Sequence, residues 1–334
     1  MVDSAPFDPP MFLRNAHVQT ILSSMGPVRW RAARIARQLH SEQRTLHAED
    51  GTRLLVDLDR AGSPNGAVVI LIHGWEGSSR STYQVCTAKI LLDAGFDVLR
   101  VNLRDHGDSH HLNRELFNST RSGETASAVA DFLRRTQYNT TFLAGYSLGG
   151  NFALRIANDA GQALAIDGVV AICPPVDPAN AMDALNAGLP VYERYFFKKW
   201  ACSLARKLSH YPDLDYQGEL KAARCIDDLN RFFIPRYTGY PDSESYYAAY
   251  ALTGDRLRDL TMPAWLITAG DDPIIPVRDV ARLNPNRHLT IDIQAHGGHC
   301  GFIENLWGQS WAERRIRDIF RGLLDGPSDT LGQA

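Results

Sequence analysis

Six short, almost uninterrupted apolar runs recur along this chain, and they restrict its fold more than any other feature. They are Val68–Ile72, Val98–Asn102, Phe142–Ala144, Val169–Cys173, Trp265–Thr268 and Leu289–Ile293. A strand that is apolar at successive positions, not alternate ones, has both faces covered, as in a parallel sheet packed between helices. Helix-length segments fall between or after them, at about Thr82–Ala94, Gly123–Arg135, Asn151–Ala160 and Trp311–Leu324. That alternation predicts an α/β fold: a mostly parallel central sheet flanked by helices. Two weaker runs, Arg44–His47 and Arg53–Leu58, fit an antiparallel edge.

The rhythm fails once. Between Cys173 and Trp265 about ninety residues pass without a convincing core strand, whereas connections in α/β units usually take about 2–6 residues. The expected organisation is therefore a core domain formed by residues 1–175 and 260–334, with a helical cap inserted at 176–259. The insertion is rich in aromatic residues, among them Tyr192, Phe196, Trp200, Phe233, Tyr246 and Tyr250. Most are expected to build the small core of the cap, with a few lining an apolar substrate pocket.

Composition excludes several classes of function. Lys and Arg number 35 against 38 Asp and Glu, a formal charge of −3, with no run of five like charges. That balance implies neither nucleic acid nor an anionic membrane surface as a partner. The longest apolar stretch, Ala67–Ile72, is far short of the roughly 18 residues a membrane-spanning helix requires. The opening residues, MVDSAPFDPPMFLRN, lack the basic and then apolar pattern of a secretory leader. Cys86, Cys173, Cys202, Cys225 and Cys300 are scattered without a CxxC pair, and read as reduced thiols of a cytoplasmic protein.

The strongest chemical signal is Gly145-Tyr146-Ser147-Leu148-Gly149, a GxSxG set between an apolar run and a helix-compatible stretch. In a chain with 26 glycines this pattern arises by chance roughly one time in nine, so its setting must carry the argument. A strand that turns sharply into a helix needs small residues two before and two after the serine. The turn then exposes the hydroxyl and aims the first N–H groups of the helix at a developing oxyanion. Serine alone is a poor nucleophile; it needs a base, and the base an orienting carboxylate.

Candidates for both follow in the order serine, acid, histidine. Gly270-Asp271-Asp272-Pro273 comes just after one apolar run, and His296-Gly297-Gly298-His299 just after the next. Both loops would leave the carboxyl ends of strands, where open α/β sheets bind ligands. Of the histidines, His299 is favoured, because Gly297-Gly298 lets the backbone bend to present it; His296 reads as a loop residue. Asp271 and Asp272 are adjacent, so at most one orients the base. Oxyanion donors are expected from the N–H of Leu148 and the N–H of Trp75, the latter in the turn His73-Gly74-Trp75-Glu76-Gly77. The HxxH spacing has no third ligand pattern beside it, so no metal is expected.

These pieces carry a resemblance. Phe12–Ile21 (FLRNAHVQTI), HGWEGSSRSTY (His73–Tyr83), VNLRDHGDS (Val101–Ser109), GYSLGGN (Gly145–Asn151), GDDPIIP (Gly270–Pro276) and GGHCGF (Gly297–Phe302) span nearly the whole chain. Together they resemble the α/β-hydrolase superfamily, and within it the YheT-like group and its eukaryotic relatives. The resemblance implies serine-dependent hydrolysis of carboxylic esters, acyl-lipids in some relatives. It assigns Ser147 as nucleophile, His299 as general base and then acid, and Asp272, in its DPIIP context, as the orienting acid. Trp75 stands where similar sequences often carry a smaller aliphatic residue, so substrate preference does not transfer. Asp105 stands where an arginine-glycine-type turn is common.

The expected activity is ester hydrolysis on a small molecule with an apolar group, without a cofactor. Thioester hydrolysis or acyl transfer would use the same residues. A binding protein on the same fold would have no need to keep all three. A serine at position 147 argues against chemistry that needs an aspartate nucleophile there.

Overall fold

Eight strands pair edge to edge into one sheet in a computed structural model of the chain, which describes residues 6–326. Residues 1–5 and 327–334, at the two ends of the expected core domain, lie outside the described residues, as do the first residues of the leader reading. Two short helices open the chain, α1 (Ala16–Leu22) and α2 (Gly26–Ala36), followed by β1 (Glu42–His47), β2 (Arg53–Asp59) and β3 (Ala67–Ile72). Then come α3 (Thr82–Asp93), β4 (Asp97–Val101), α4 (Ser122–Arg134), β5 (Thr140–Tyr146), α5 (Leu148–Ala160) and β6 (Ile166–Ile172). Five helices follow without a strand: α6 (Pro178–Ala187), α7 (Pro190–His210), α8 (Gln217–Ala222), α9 (Ile226–Tyr237) and α10 (Ser243–Ala249). The chain closes with β7 (Ala264–Ala269), β8 (Leu289–Gln294) and α11 (Trp311–Leu324).

The strand order is β1-β2-β4-β3-β5-β6-β7-β8. All pairings from β4 to β8 are parallel, while β1–β2 and β2–β4 are antiparallel. The fold is therefore the expected α/β architecture, including its antiparallel edge. Strand β3 shows why the apolar runs dictate it. Val69 lies opposite Val98 of β4 and Phe142 of β5. Val68, Ile70 and Ile72 enter the core on one face; Ala67, Val69 and Leu71 enter the core on the other. Burying each of the larger side chains stabilises the fold by about 1.5–3 kcal/mol. On the second face α11 lays Ile316, Ile319 and Phe320 against the sheet, with Phe320 stacked on Phe142 at 4.5 Å.

One boundary differs in a way that matters. Helix α5 begins at Leu148, three residues before the expected start at Asn151. Two consecutive glycines at 149 and 150 are poor helix formers, and local propensity therefore argues against a helix there. Packing overrides it: a Cβ on Gly149 would lie 2.2 Å from the Ile72 carbonyl oxygen, so only glycine lets the first turn approach β3.

Because β3, β5, β7 and β8 are parallel, their carboxyl ends share one edge of the sheet. The turn at 73–77, Ser147, and the loops 270–276 and 295–302 all leave from that edge.

Candidate active site

Ser147 is the single residue between β5 and α5, with φ 53° and ψ −123°. Such a backbone costs an L-residue of order 1 kcal/mol or more and persists only where its surroundings enforce it. Here the Ser147 N–H donates to the Ile172 carbonyl at 2.8 Å, and its carbonyl accepts from Gly150 and Asn151. Glycine is obligatory at Gly145, where a Cβ would meet the Gly149 carbonyl at 2.1 Å. The helix thus begins at the serine, with its N-terminal dipole directed there.

His299 comes from the loop after β8. Gly297 (φ 143°) and Gly298 (φ 52°) turn the backbone, and the His299 N–H donates to Thr20 Oγ1 of α1 at 2.9 Å. Its Nε2 lies 3.0 Å from Ser147 Oγ, and its Nδ1 lies 2.9 Å from Asp272 Oδ2. The Asp272 side chain is fully buried, and its Oδ1 accepts from the N–H groups of Ile274 and Ile275, at 2.8 and 2.9 Å. Those two bonds aim the free oxygen at the imidazole. Asp271 points elsewhere: its Oδ1 accepts from Gly298 N–H at 2.9 Å, and its Oδ2 is 3.6 Å from His296 Nδ1. His296 is half-exposed and away from the serine line.

The two peptides expected to supply oxyanion donors both lie beside Ser147. Leu148 is the first residue of α5. A Cβ on Gly74 would lie 3.2 Å from Ser147 Cβ, which places the Gly74–Trp75 peptide against the serine. Neither the Trp75 nor the Leu148 N–H has an acceptor among the described residues. A backbone N–H left open where a cavity meets the serine is suited to a ligand oxygen.

Several supporting residues lie outside the residue set that the sequence pointed to. His106 Nδ1 bonds the Arg104 carbonyl at 2.7 Å, while its Nε2 accepts the Glu76 N–H at 3.2 Å. His73 likewise bonds the Gly74 carbonyl and accepts the Leu103 N–H, and the two rings pack at 4.8 Å. Each ring has one donor and one acceptor in use, which describes neutral imidazoles. Burial lowers both pKa values, His73 well below its ordinary value and His106 to about 4. Glu76 holds a left-handed backbone at φ 54°, pinned at its carbonyl by Lys199 Nζ of α7 at 3.0 Å. Its buried carboxyl is pushed up to about 8. The VNLRDHGDS stretch contains His106, but nothing in sequence spacing says which loop it grips.

Two cavities meet at Ser147. An open cleft of about 940 Å³ runs past Thr20, Met25, Tyr83 and Tyr195. A smaller cavity of about 100 Å³ lies beneath helices α6, α7, α9 and α10, lined by Leu148, Leu185, Trp200, Phe233, Tyr247 and Ile275. More of the aromatic residues of the insertion reach this cavity than composition suggested, whereas Tyr216, Phe232 and Tyr237 pack on one another. Trp75 stacks on Phe196 at 5.3 Å between the two spaces. Among the described residues one trio could hold a metal ion. Cys173, His299 and Cys300 bring ligand atoms within 4.8 Å of one another, yet His299 Nε2 already faces the serine.

Comparison with known proteins identifies the family and the fold. Residues 69–306 match the model of the alpha/beta hydrolase family. The chain is 30% identical to YheT of Escherichia coli (strain K12), a proposed esterase, over 97% of this chain and 96% of that one. Among solved structures it is similar to the Pyrococcus furiosus esterase Pf2001, with a TM-score of 0.56 and 16% identity over 86% of this chain and 94% of that one. It is also similar to 2,6-dihydroxy-pseudo-oxynicotine hydrolase, with a TM-score of 0.59 and 17% identity over 92% and 78% of the two chains. Sheet order, serine turn and sequence match together place this chain in the α/β hydrolase family.

Proposed function

We propose that this chain is a serine hydrolase of carboxylic esters, working through Ser147, His299 and Asp272 and an acyl-enzyme intermediate. The observation that carries the reading is the unbroken hydrogen-bond line from Ser147 Oγ through the imidazole of His299 to Asp272 Oδ2. Ser147 Oγ attacks the ester carbonyl while His299 Nε2 takes its proton. Asp272 stabilises the resulting imidazolium and holds its orientation. The carbonyl oxygen becomes an oxyanion received by the N–H groups of Trp75 and Leu148, a contribution typically worth about 3–4 kcal/mol per donor. Collapse breaks the bond to the alcohol oxygen, which leaves with the proton from His299. Water, deprotonated by His299, then attacks the acyl-enzyme and releases the acid. No cofactor enters this sequence.

The two cavities divide the substrate. The acyl group occupies the smaller, apolar space under residues 176–259, which act as a cap, and its small volume favours a short-to-medium chain. The alcohol portion lies in the larger cleft, which has room for the departing group. A thioester would be attacked by the same machinery. The free thiols, with Cys173 and Cys300 buried side by side, suit a reducing, cytoplasmic setting.

The test is labelling with a fluorophosphonate probe, followed by a panel of esters and thioesters of graded acyl length. Labelling of the wild type, lost in Ser147→Ala and His299→Ala, is the expected result. A folded wild type that neither labels nor hydrolyses any member of the panel would leave a binding protein on a hydrolase fold.

A further inference from the structure

We infer that the N-terminal segment 9–41, together with the loop at 303–308, is a docking surface for a lipid bilayer carrying anionic headgroups. Three independent observations converge on it. The first is charge. In a chain of net charge −3, segment 9–41 contains Arg14, Arg29, Arg31, Arg34 and Arg37 and not one Asp or Glu, and the single acid of the 303–308 loop, Glu304, is paired with Arg314. Arg14 pairs with Asp8 and Arg31 with Glu313, but Arg34 and Arg37 are exposed and make no ion pair among the described residues.

The second is exposed apolar surface. Met11 is 84% exposed, Phe12 61%, Met25 55% and Trp30 74%, and beside them Trp307 is 79% exposed. They belong to one patch. Leu13, Val28 and Ile303 form a single small core with Leu22. Gly308 lies directly against Val28, and its carbonyl accepts from Arg31 at 2.9 Å. Phe12 and Trp307 therefore stand next to members of this core, and Trp30 projects from the outer face of α2, away from Val28. Monomers rarely leave apolar surface of this kind uncovered. Tryptophan flanked by arginines is the composition that settles at the boundary of headgroups and acyl chains.

The third is continuity with the proposed reaction site. Ile21 and Met25 of this segment, with Val191 and Tyr195 of α7, line the open cleft that leads to Ser147. A bilayer held here would present its lipids at the mouth of that cleft. Whole-chain charge conceals the feature, because acids elsewhere cancel a locally basic, acid-free stretch.

Vesicle flotation of the purified full chain tests this, using phosphatidylcholine alone and phosphatidylcholine with about a third phosphatidylglycerol. Binding is expected on the anionic vesicles and should fall at high salt. Arg34→Glu with Arg37→Glu should weaken it roughly 30-fold or more, about 5-fold for each positive charge lost near the surface. Trp30→Ala with Trp307→Ala should weaken it by roughly 10-fold or more. Hydrolysis of a water-soluble short-chain ester should be unchanged in both variants, which shows that they fold. No binding by the wild type, equal binding to both vesicle types, or binding untouched by the variants would overturn the inference. So would a dimer in light scattering that Trp30→Ala with Trp307→Ala dissolves, since the patch would then belong to a second copy. Ser147→Ala should float like the wild type, so a failure of the ester-hydrolysis reading leaves this test intact.

Discussion

Thr20 Oγ1 accepts the backbone N–H of His299 at 2.9 Å, across 279 residues of sequence. The first helix of the chain therefore helps to hold the histidine loop. Gln19 adds to it, accepting from the Ile303 N–H at 2.7 Å and donating to the Leu13 and Ile303 carbonyls. Thr20→Val keeps the shape but leaves a buried N–H unpaired, at about 1–3 kcal/mol. Steady-state kinetics on a soluble ester should show kcat reduced roughly 10-fold or more with KM little changed. A wild-type kcat would remove Thr20 from the support of the loop.

The adjacent aspartates should separate cleanly. Asp272→Asn takes the carboxylate from His299 Nδ1, and kcat should fall about 10³-fold or more. Asp271→Asn retains an oxygen for the Gly298 N–H and should cost less than about 10-fold. Equal losses in the two variants would count against the proposed role of Asp272.

The serine turn should tolerate no side chain at its glycines. Gly145→Ala and Gly149→Ala would each drive a methyl into backbone at 2.1–2.2 Å, and each should destabilise by roughly 3 kcal/mol or more. Gly218, in α8 with nothing within 4 Å, provides the control: Gly218→Ala should be neutral or stabilise by up to about 1 kcal/mol. Urea denaturation of the three variants measures this.

Stability should depend on pH from both sides. His106 titrates near 4 in the fold and 6.5 unfolded, so between those values the unfolded chain binds more protons, and stability rises with pH. Its contribution, on the order of 3 kcal/mol, is complete above 6.5 and lost on acidification. Glu76 acts in the opposite sense. Its folded pKa of about 8 lies above the ordinary 4.5, so the fold binds the extra proton and stability declines as pH rises through that interval. Thermal melts should show His106→Gln flattening the acid limb and Glu76→Gln the alkaline one.

Asp105, at φ 59°, meets Lys207 of α7 at 2.6 Å, and the ammonium also donates to the carbonyls of Asn113 and Glu115. This buried pair ties α7 to the loop after β4. Lys207→Met leaves an uncompensated carboxylate and should destabilise by about 3–5 kcal/mol, with Asp105→Asn in the same chain restoring part of the loss. Chemical denaturation of the single and double variants checks both.

Sequence alone determined the central strands, because residues buried on both faces must be apolar in succession, as in Val68–Ile72. The run Leu289–Ile293, expected to be buried on both faces, is instead the edge strand β8, with Ile291 and Ile293 exposed because among the described residues no further strand or helix covers them. Sequence also placed Ser147 and the candidate loops 270–276 and 295–302, since small residues and chain order are local constraints that a turn imposes on its own neighbours. What it could not resolve was long-range. Which of two adjacent aspartates faces the imidazole depends on how the distant 295–302 loop passes them, giving Asp272 the His299 ring and Asp271 the Gly298 N–H. The early start of α5 at Leu148 depends on the approach of β3. The grip of Thr20 on the His299 loop and of His106 on the Glu76 turn joins residues that no periodicity relates. Asp105 carried no meaning until Lys207 lay beside it. The basic, aromatic surface at 9–41 became visible only when folding showed which of its side chains stay in water. Short-range sterics write themselves into sequence patterns; a hydrogen bond between distant segments is chosen by tertiary packing, and the sequence carries no period that announces it.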